Sequence, residues 1–267
     1  PRKDRMNAST AAVTEERSVP TRAEVRYPKT WIEMLVSSLL GLVASLVLSI
    51  DAIALAANPN ADLSCNINAA ISCGTVGASW QASLLGFPNA FLGLIAEPVV
   101  ITIAVAALGG VRFPRWFLNS AQVVYFIGLA FAFWLFYQAY FVIGALCPWC
   151  LLVTLSTTLV FSSLTHVNIR DNNLFLPPRV QNALASGLRM GLDGLIVVLW
   201  LTFIVLAILL KYGAALFAKH VDADPLTGLA AAIALSAALG AVCSATVVRG
   251  SDLTRLMVTL GTALILY

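Results

Sequence analysis

Four cysteines in this chain are spaced for thiol–disulfide chemistry. Cys147-Pro148-Trp149-Cys150 is a C-x-x-C, and Cys65 and Cys73 lie eight apart with Asn66-Ile67-Asn68-Ala69-Ala70-Ile71-Ser72 between them. The nucleophile in disulfide exchange is the thiolate. A proline suits the first position of a helix, so Cys147 is expected as an N-cap residue and Cys150 in the first turn. Free N–H groups and the helix dipole favour a thiolate there, and the C-x-x-C spacing lets the two sulfurs bond. The bland readings are a structural disulfide or two buried apolar thiols for Cys147 and Cys150, and a static loop staple for Cys65 and Cys73. Metal binding is the rival use of four cysteines, and an oxidising compartment works against it by converting thiols to disulfides. Two pairs on one face make exchange between them the better account.

The elements that must position these residues are membrane helices. The 267-residue chain is 60% hydrophobic and 11% charged, with a mean hydropathy of +0.88. A soluble domain carries about a quarter charged residues, so lipid must solvate part of this surface. In lipid every backbone polar group is satisfied internally, and long Leu-, Ala- and Val-rich runs favour helices over a barrel of alternating strands. The expected class is all-α: a polytopic membrane protein. Spans are expected over about 34–57, 89–108, 116–143, 146–166, 192–212 and 227–248. Residues 1–30 read as a disordered tail, 31–170 as the core, 171–190 as a loop within the polar stretch 167–190, and 191–267 as extra spans of unassigned role. No cleavable signal peptide is expected, because the first apolar run is too long for one.

Lys and Arg set the orientation. Seven lie in the first thirty residues, Arg112 and Arg115 follow the second span, and Arg170, Arg179 and Arg189 follow the fourth. The loop 58–88 has none. The N-terminus is therefore expected in the cytoplasm of a cell bounded by this plasma membrane, with both cysteine pairs outside. The net charge of +3 lacks a basic stripe with interleaved aromatics, so no nucleic-acid partner is expected.

Asp51 and Glu97 fall within or near the first two spans, where ionisable groups are functional candidates. Asp51 sits near an outer end and could simply reach water, while Glu97 precedes Pro98 and could face a cavity or be protonated. The third span is aromatic, with Phe131, Phe133, Trp134 and Phe136 among others. Those rings suit lipid contact, or the flat walls of an aromatic ligand's pocket. Residues 79–87 are amphipathic enough to lie at the interface and hold the cysteine loop down. Cys243 reads as packing, and His166 and His220 as loop residues outside the cluster.

In Cys65, Ala70-Ile71-Ser72-Cys73, Ser79 six residues further on, and Cys147-x-x-Cys150 opening the fourth helix, the chain resembles the vitamin K epoxide reductase family, in its bacterial quinone-linked disulfide-forming branch. The resemblance spans about residues 34–170. It implies a four-helix catalytic core, a bundle around a quinone (menaquinone or ubiquinone) as electron acceptor, to which the later spans add further C-terminal transmembrane helices. Cys147 and Cys150 look like the quinone-proximal pair, with Cys150 nearest the quinone, and Cys65 and Cys73 like the shuttle pair. Ser79 looks like the supporting loop hydroxyl, and Asn89 in Phe87-Pro88-Asn89-Ala90-Phe91-Leu92-Gly93 is similar to an asparagine that hydrogen-bonds the quinone. Thr154 stands where animal members carry a tyrosine. A fused thioredoxin-like domain is not expected, which implies a separate extracytoplasmic thioredoxin-fold thiol oxidase as partner. The reading is a membrane quinone reductase that makes disulfides: the partner attacks the loop disulfide at Cys65, Cys73 is released and attacks Cys147, and Cys150 is freed to reduce the quinone. Its alternatives are a non-enzymatic membrane protein with structural disulfides and a metal or ion transporter.

Overall fold

The computed structural model describes residues 27–217 of the chain. The expected tail (apart from its last few residues), the sixth span, His220 and Cys243 lie outside the described residues. Seven helices follow in order: α1 (Pro28–Ala57), α2 (Cys73–Gly77), α3 (Ala90–Leu108), α4 (Arg115–Tyr137), α5 (Pro148–Arg170), α6 (Pro178–Arg189) and α7 (Leu192–Phe217), with a 3-10 turn (Trp80–Ser83) before α3 and a π-helical turn (Gln138–Ile143) extending α4. The class is all-α, and α1, α3, α4 with its extension, α5 and α7 are each long and apolar enough to cross a membrane.

The sequence explains where these helices start. Pro28 and Pro148 occupy first-turn positions, where the missing N–H costs nothing. Because Pro28 pre-sets the helical φ, α1 begins six residues before the span expected from hydropathy alone. The stretch 167–190, read as a polar loop, holds α6, which opens at Pro178 and buries Leu188.

Helix α1 packs on both α3 and α5, and α5 packs on α4, giving a four-helix bundle; α7 leans on α5 and α6. The half of the bundle away from the cysteines is filled by Trp31, Met34, Val100, Ile103, Leu118 and Leu164, with other apolar neighbours. Leu39, Leu40, Val43, Leu46 and Ile50 on the other face of α1 are exposed, as a lipid-facing surface requires. Small residues let α1 approach its neighbours. A Cβ on Gly93 of α3 would lie 2.0 Å from Ser45 Oγ, and one on Gly41 of α1 2.3 Å from Ser156 Oγ.

His166 is helical rather than in a loop. It lies in α5, where Nδ1 meets Asp193 Oδ2 of α7 at 2.5 Å and ties those helices together at the end opposite the cysteines. At the cysteine end α7 grips the π-helical turn. The Tyr140 hydroxyl donates to the Ala207 carbonyl at 2.9 Å, and the Tyr212 hydroxyl to the Tyr140 carbonyl at 3.1 Å. Lys211 also donates to that carbonyl and lies over the rings of Tyr140 and Tyr212.

Candidate active site

The site is built where three chain segments converge on the open end of the bundle. The loop after α1 is held by its own side chains. Asn66 Oδ1 accepts from the Gly74 N–H at 2.9 Å and from the Ser72 hydroxyl, and Ser72 Oγ accepts from the Thr75 N–H at 3.1 Å to cap α2. This puts Cys73 at the first position of α2, where it is joined to Cys65 by a disulfide. Cys147 is the N-cap residue of α5, as expected from Pro148, and its sulfur accepts from the Cys150 N–H at 3.3 Å.

A backbone clip brings the two pairs together. The Ser72 N–H donates to the Leu146 carbonyl at 3.0 Å and the Leu146 N–H to the Ala70 carbonyl at 2.8 Å, a parallel bridge between Ile71 and Leu146. Each bridged segment leads straight into a cysteine. The result is Cys147 Sγ 3.4 Å from Cys73 Sγ, with both residues buried. Cys147 and Cys150 are free thiols. The hydrogen bond from the Cys150 thiol, followed by the N–H groups of Cys150 and Trp149, holds Cys147 below the ordinary thiol range against the opposing effect of burial. A thiolate in contact with one sulfur of a disulfide is the arrangement that thiol–disulfide exchange requires.

Cys65 is buried in one cluster with Leu63, Cys73 and Cys147, and its sulfur lies 3.7 Å from Asp51 Oδ2. Asp51, Cys65 and Cys73 bring ligand-type atoms within 4.8 Å of one another. The disulfide uses both sulfurs, so this trio does not offer thiolate ligands to a metal while oxidised.

A family model described as Vitamin K epoxide reductase family matches residues 32–165. That stretch is about half of the chain and contains all four of these cysteines. The chain belongs to the vitamin K epoxide reductase family. Membership makes it one of a family of membrane oxidoreductases that work with quinones. A search of curated proteins finds no match.

A cavity of about 970 Å³ opens beneath the cysteines between α1, α3, α4 and α5. Cys73, Cys147, Cys150, Ser79 and Asn89 all line it, and Cys65 does not. Its size and largely apolar wall suit a flat ligand of quinone size. The polar groups fit as well. The Asn89 amide N–H donates to the Gln81 carbonyl at 2.6 Å, while its Oδ1 is buried without a partner among the described residues. That carboxamide keeps one N–H and one oxygen for a ligand that presents carbonyl oxygens when oxidised and hydroxyls when reduced. The Ser79 hydroxyl is spent on the Val76 carbonyl at 2.6 Å, closing the turn that leads from α2 into the 3-10 segment. In that segment Gln81 is buried, and Trp80 with Leu84, Leu85 and Phe87 just after it forms an exposed apolar rim of the kind expected at an interface.

Three features escaped sequence reasoning: the Ile71–Leu146 clip, the contact of Asp51 with Cys65, and the two hydroxyls from other helices that hold Glu97 in the cavity wall, where the sequence reading allowed for it to face. The residues that seal Asp51 and Glu97 into the site are remote in sequence, so only their rarity in apolar spans marked them.

Proposed function

We propose that the chain is a quinone-linked thiol oxidase that forms disulfides in a separate thioredoxin-fold partner on the outer face of a plasma membrane. The observation that carries this reading is the 3.4 Å contact of Cys147 Sγ with the Cys65–Cys73 disulfide. Since Cys73 faces Cys147, Cys65 is the sulfur left for the partner. A partner thiolate attacks Cys65 Sγ, the Cys65–Cys73 bond breaks, and Cys73 leaves as a thiolate. The partner's second thiol then displaces Cys65, and the partner departs oxidised. Cys73 attacks Cys147 Sγ of the Cys147–Cys150 disulfide and frees Cys150. Cys65, whose proton Asp51 is placed to accept, attacks Cys73, restores the loop disulfide and releases Cys147 as a thiolate. Each exchange makes one S–S bond and breaks one. The lowered proton affinity of Cys147 suits it as the leaving group. A quinone held in the cavity by Asn89, next to Cys150, supplies the chemistry of accepting two electrons and two protons. The remaining regions keep the sequence reading: a core over 31–170 and extra spans beyond it.

The test is Cys150→Ala. Without its resolving partner Cys147 attacks Cys73, so a Cys73–Cys147 mixed disulfide accumulates and is found as a cross-linked peptide by mass spectrometry. Recovery of the Cys65–Cys73 peptide alone would show that the order is wrong and would favour a static loop staple.

A further inference from the structure

The thiol relay makes no use of Glu97, the one acidic side chain buried in the middle of α3. Its exposure is 3%, and it lines the same cavity as Asn89 and Cys150. Eight residues separate it from Asn89 along the chain, an axial rise of about 12 Å, so the two mark an upper and a deeper level of one apolar space. Both of its partners are hydroxyls. Tyr125 of α4 donates to Oε2 at 3.3 Å, and Ser156 Oγ of α5 lies 3.5 Å from Oε1. Ser156 has a single O–H, and the Ser37 carbonyl takes it at 2.8 Å. The Oε1 contact is then satisfied when Glu97 carries the proton and donates it to Ser156 Oγ. A neutral acid is also what an apolar membrane interior demands of a carboxyl paired with hydroxyls instead of a cation.

The wall around it is shaped to keep this group in place. A Cβ on Gly41 of α1 would lie 2.5 Å from Glu97 Oε1, so only glycine leaves room for the carboxyl there. One helical turn further along α1, the Ser45 hydroxyl lines the cavity, buried and without a partner among the described residues. The titratable group facing Glu97 is Tyr125 of α4; α1 and α5 present Gly41 and Ser156.

We propose that Glu97 is the proton donor at the deep end of the quinone cavity, held in position by Tyr125 and Ser156. The inference rests on the quinone-linked reading above. Oxidation of the Cys147–Cys150 dithiol gives up two electrons and two protons, and reduction of a quinone to a quinol takes up two of each. At the deep level the Glu97 O–H bond breaks, its proton passes to the quinone oxygen there, and the carboxylate regains a proton from solvent before the next turnover. The second proton enters at the cysteine level.

The experiment compares full-length protein with Glu97→Gln and Glu97→Asp, using menadione and a short-chain ubiquinone as probes. Binding is read by quenching of tryptophan fluorescence, and single-turnover reduction is read across pH. The infrared difference spectrum between dithiol-reduced and quinone-oxidised protein reports any carboxylic acid that changes state. Glu97→Gln is expected to bind a probe as the parent does. It should lose a carboxylic C=O band and slow quinone reduction on the order of a hundredfold. Glu97→Asp should recover part of that rate. Should Glu97→Gln fail to fold, Tyr125→Phe keeps the acid and removes one donor, and the same band should shift. A rate, pH profile and infrared band that are unchanged in Glu97→Gln, or a band insensitive to Tyr125→Phe, would overturn the inference while leaving quinone binding intact. If neither probe binds the parent protein, the quinone reading falls and the inference with it.

Discussion

Cys147 shows how much one side chain owes to its immediate surroundings. Its sulfur accepts from the Cys150 N–H at the start of α5 and touches Cys73 Sγ. Hydrogen bonding from Cys150 lowers its proton affinity, against burial. The sign of the pH effect follows. A thiol whose folded value lies below its unfolded one, about 8.5, stabilises the fold above that pH, and the contribution is lost as pH falls through the lowered value. Alkylation of Cys147 by a small neutral reagent should therefore follow a titration with its midpoint below that of a free thiol. In Cys150→Ala, with the relay reduced, the midpoint should move up towards the ordinary value. Peptide mapping of the alkylated protein across pH checks both. A midpoint that does not move would mean that the Cys150 hydrogen bond is not what tunes the sulfur. At this scale the sequence was informative: Pro148 alone identified Cys147 as an N-cap, because proline's missing N–H selects the first helical turn.

Between α4 and α5 the chain must reverse and meet the cysteine loop within a few residues. The π-helical turn Gln138–Ile143 ends at Gly144, whose φ of 76° is open to glycine and strained for other residues. Only two residues later Leu146 pairs with Ile71. A Cβ at Gly144 would meet nothing within 4 Å, so Gly144→Ala isolates the backbone effect from any clash. It should destabilise this turn by about 1–2 kcal/mol and loosen the clip. The measurable result is a lower yield of the Cys73–Cys147 cross-link in the Cys150→Ala background, with the Cys65–Cys73 disulfide still formed. An unchanged yield would show that the clip does not set the inter-pair contact. Element identity was legible from hydropathy, but element ends were not. The first span reads as starting near Met34 because Lys29 and Glu33 interrupt the apolar run before it, yet helix propagates back to the proline. The 167–190 stretch reads as a loop because it is polar, yet α6 folds as an amphipathic helix on α5 and α7.

Across the whole molecule the five spans put the cysteines at one end of the bundle and the His166–Asp193 contact at the other. The proposed orientation rests on the basic residues, which are absent from 58–88 and present at Arg112 and Arg115. Asn60 and Val111 are exposed on opposite ends. In intact cells a membrane-impermeant maleimide should label Asn60→Cys above the parent background and should label Val111→Cys only after the membrane is opened. The reverse pattern would invert the protein and remove the proposed compartment. The fifth span, which sequence reading left without a role, holds Tyr140 through Ala207, Lys211 and Tyr212, and so braces the turn that leads to Gly144 and the clip. Nothing in its composition signals this, because hydroxyl-to-carbonyl contacts between helices leave no periodic trace in an apolar run.

By itself the sequence determined the helical class, the membrane setting, the family resemblance and the four cysteines. Each of these depends on composition or on spacings of a few residues, which local physics reads directly: apolar length against bilayer thickness, and proline and cysteine at a helix start. It also named Ser79 and Asn89 through the resemblance, and both line the cavity, although their functional roles are still proposals. Only the tertiary structure shows the physical contact, Cys73 Sγ against Cys147 Sγ, that the relay order expected from the sequence requires. That contact joins residues 73 and 147 through a two-bond backbone bridge, and backbone hydrogen bonds of this kind are indifferent to side-chain identity. It likewise decided that Glu97 ends among hydroxyls of α4 and α5 at the wall of the cavity. Helix packing fixes which face of α3 turns inward, and α3 is apolar nearly all round, so its pattern of residues gives no face to read.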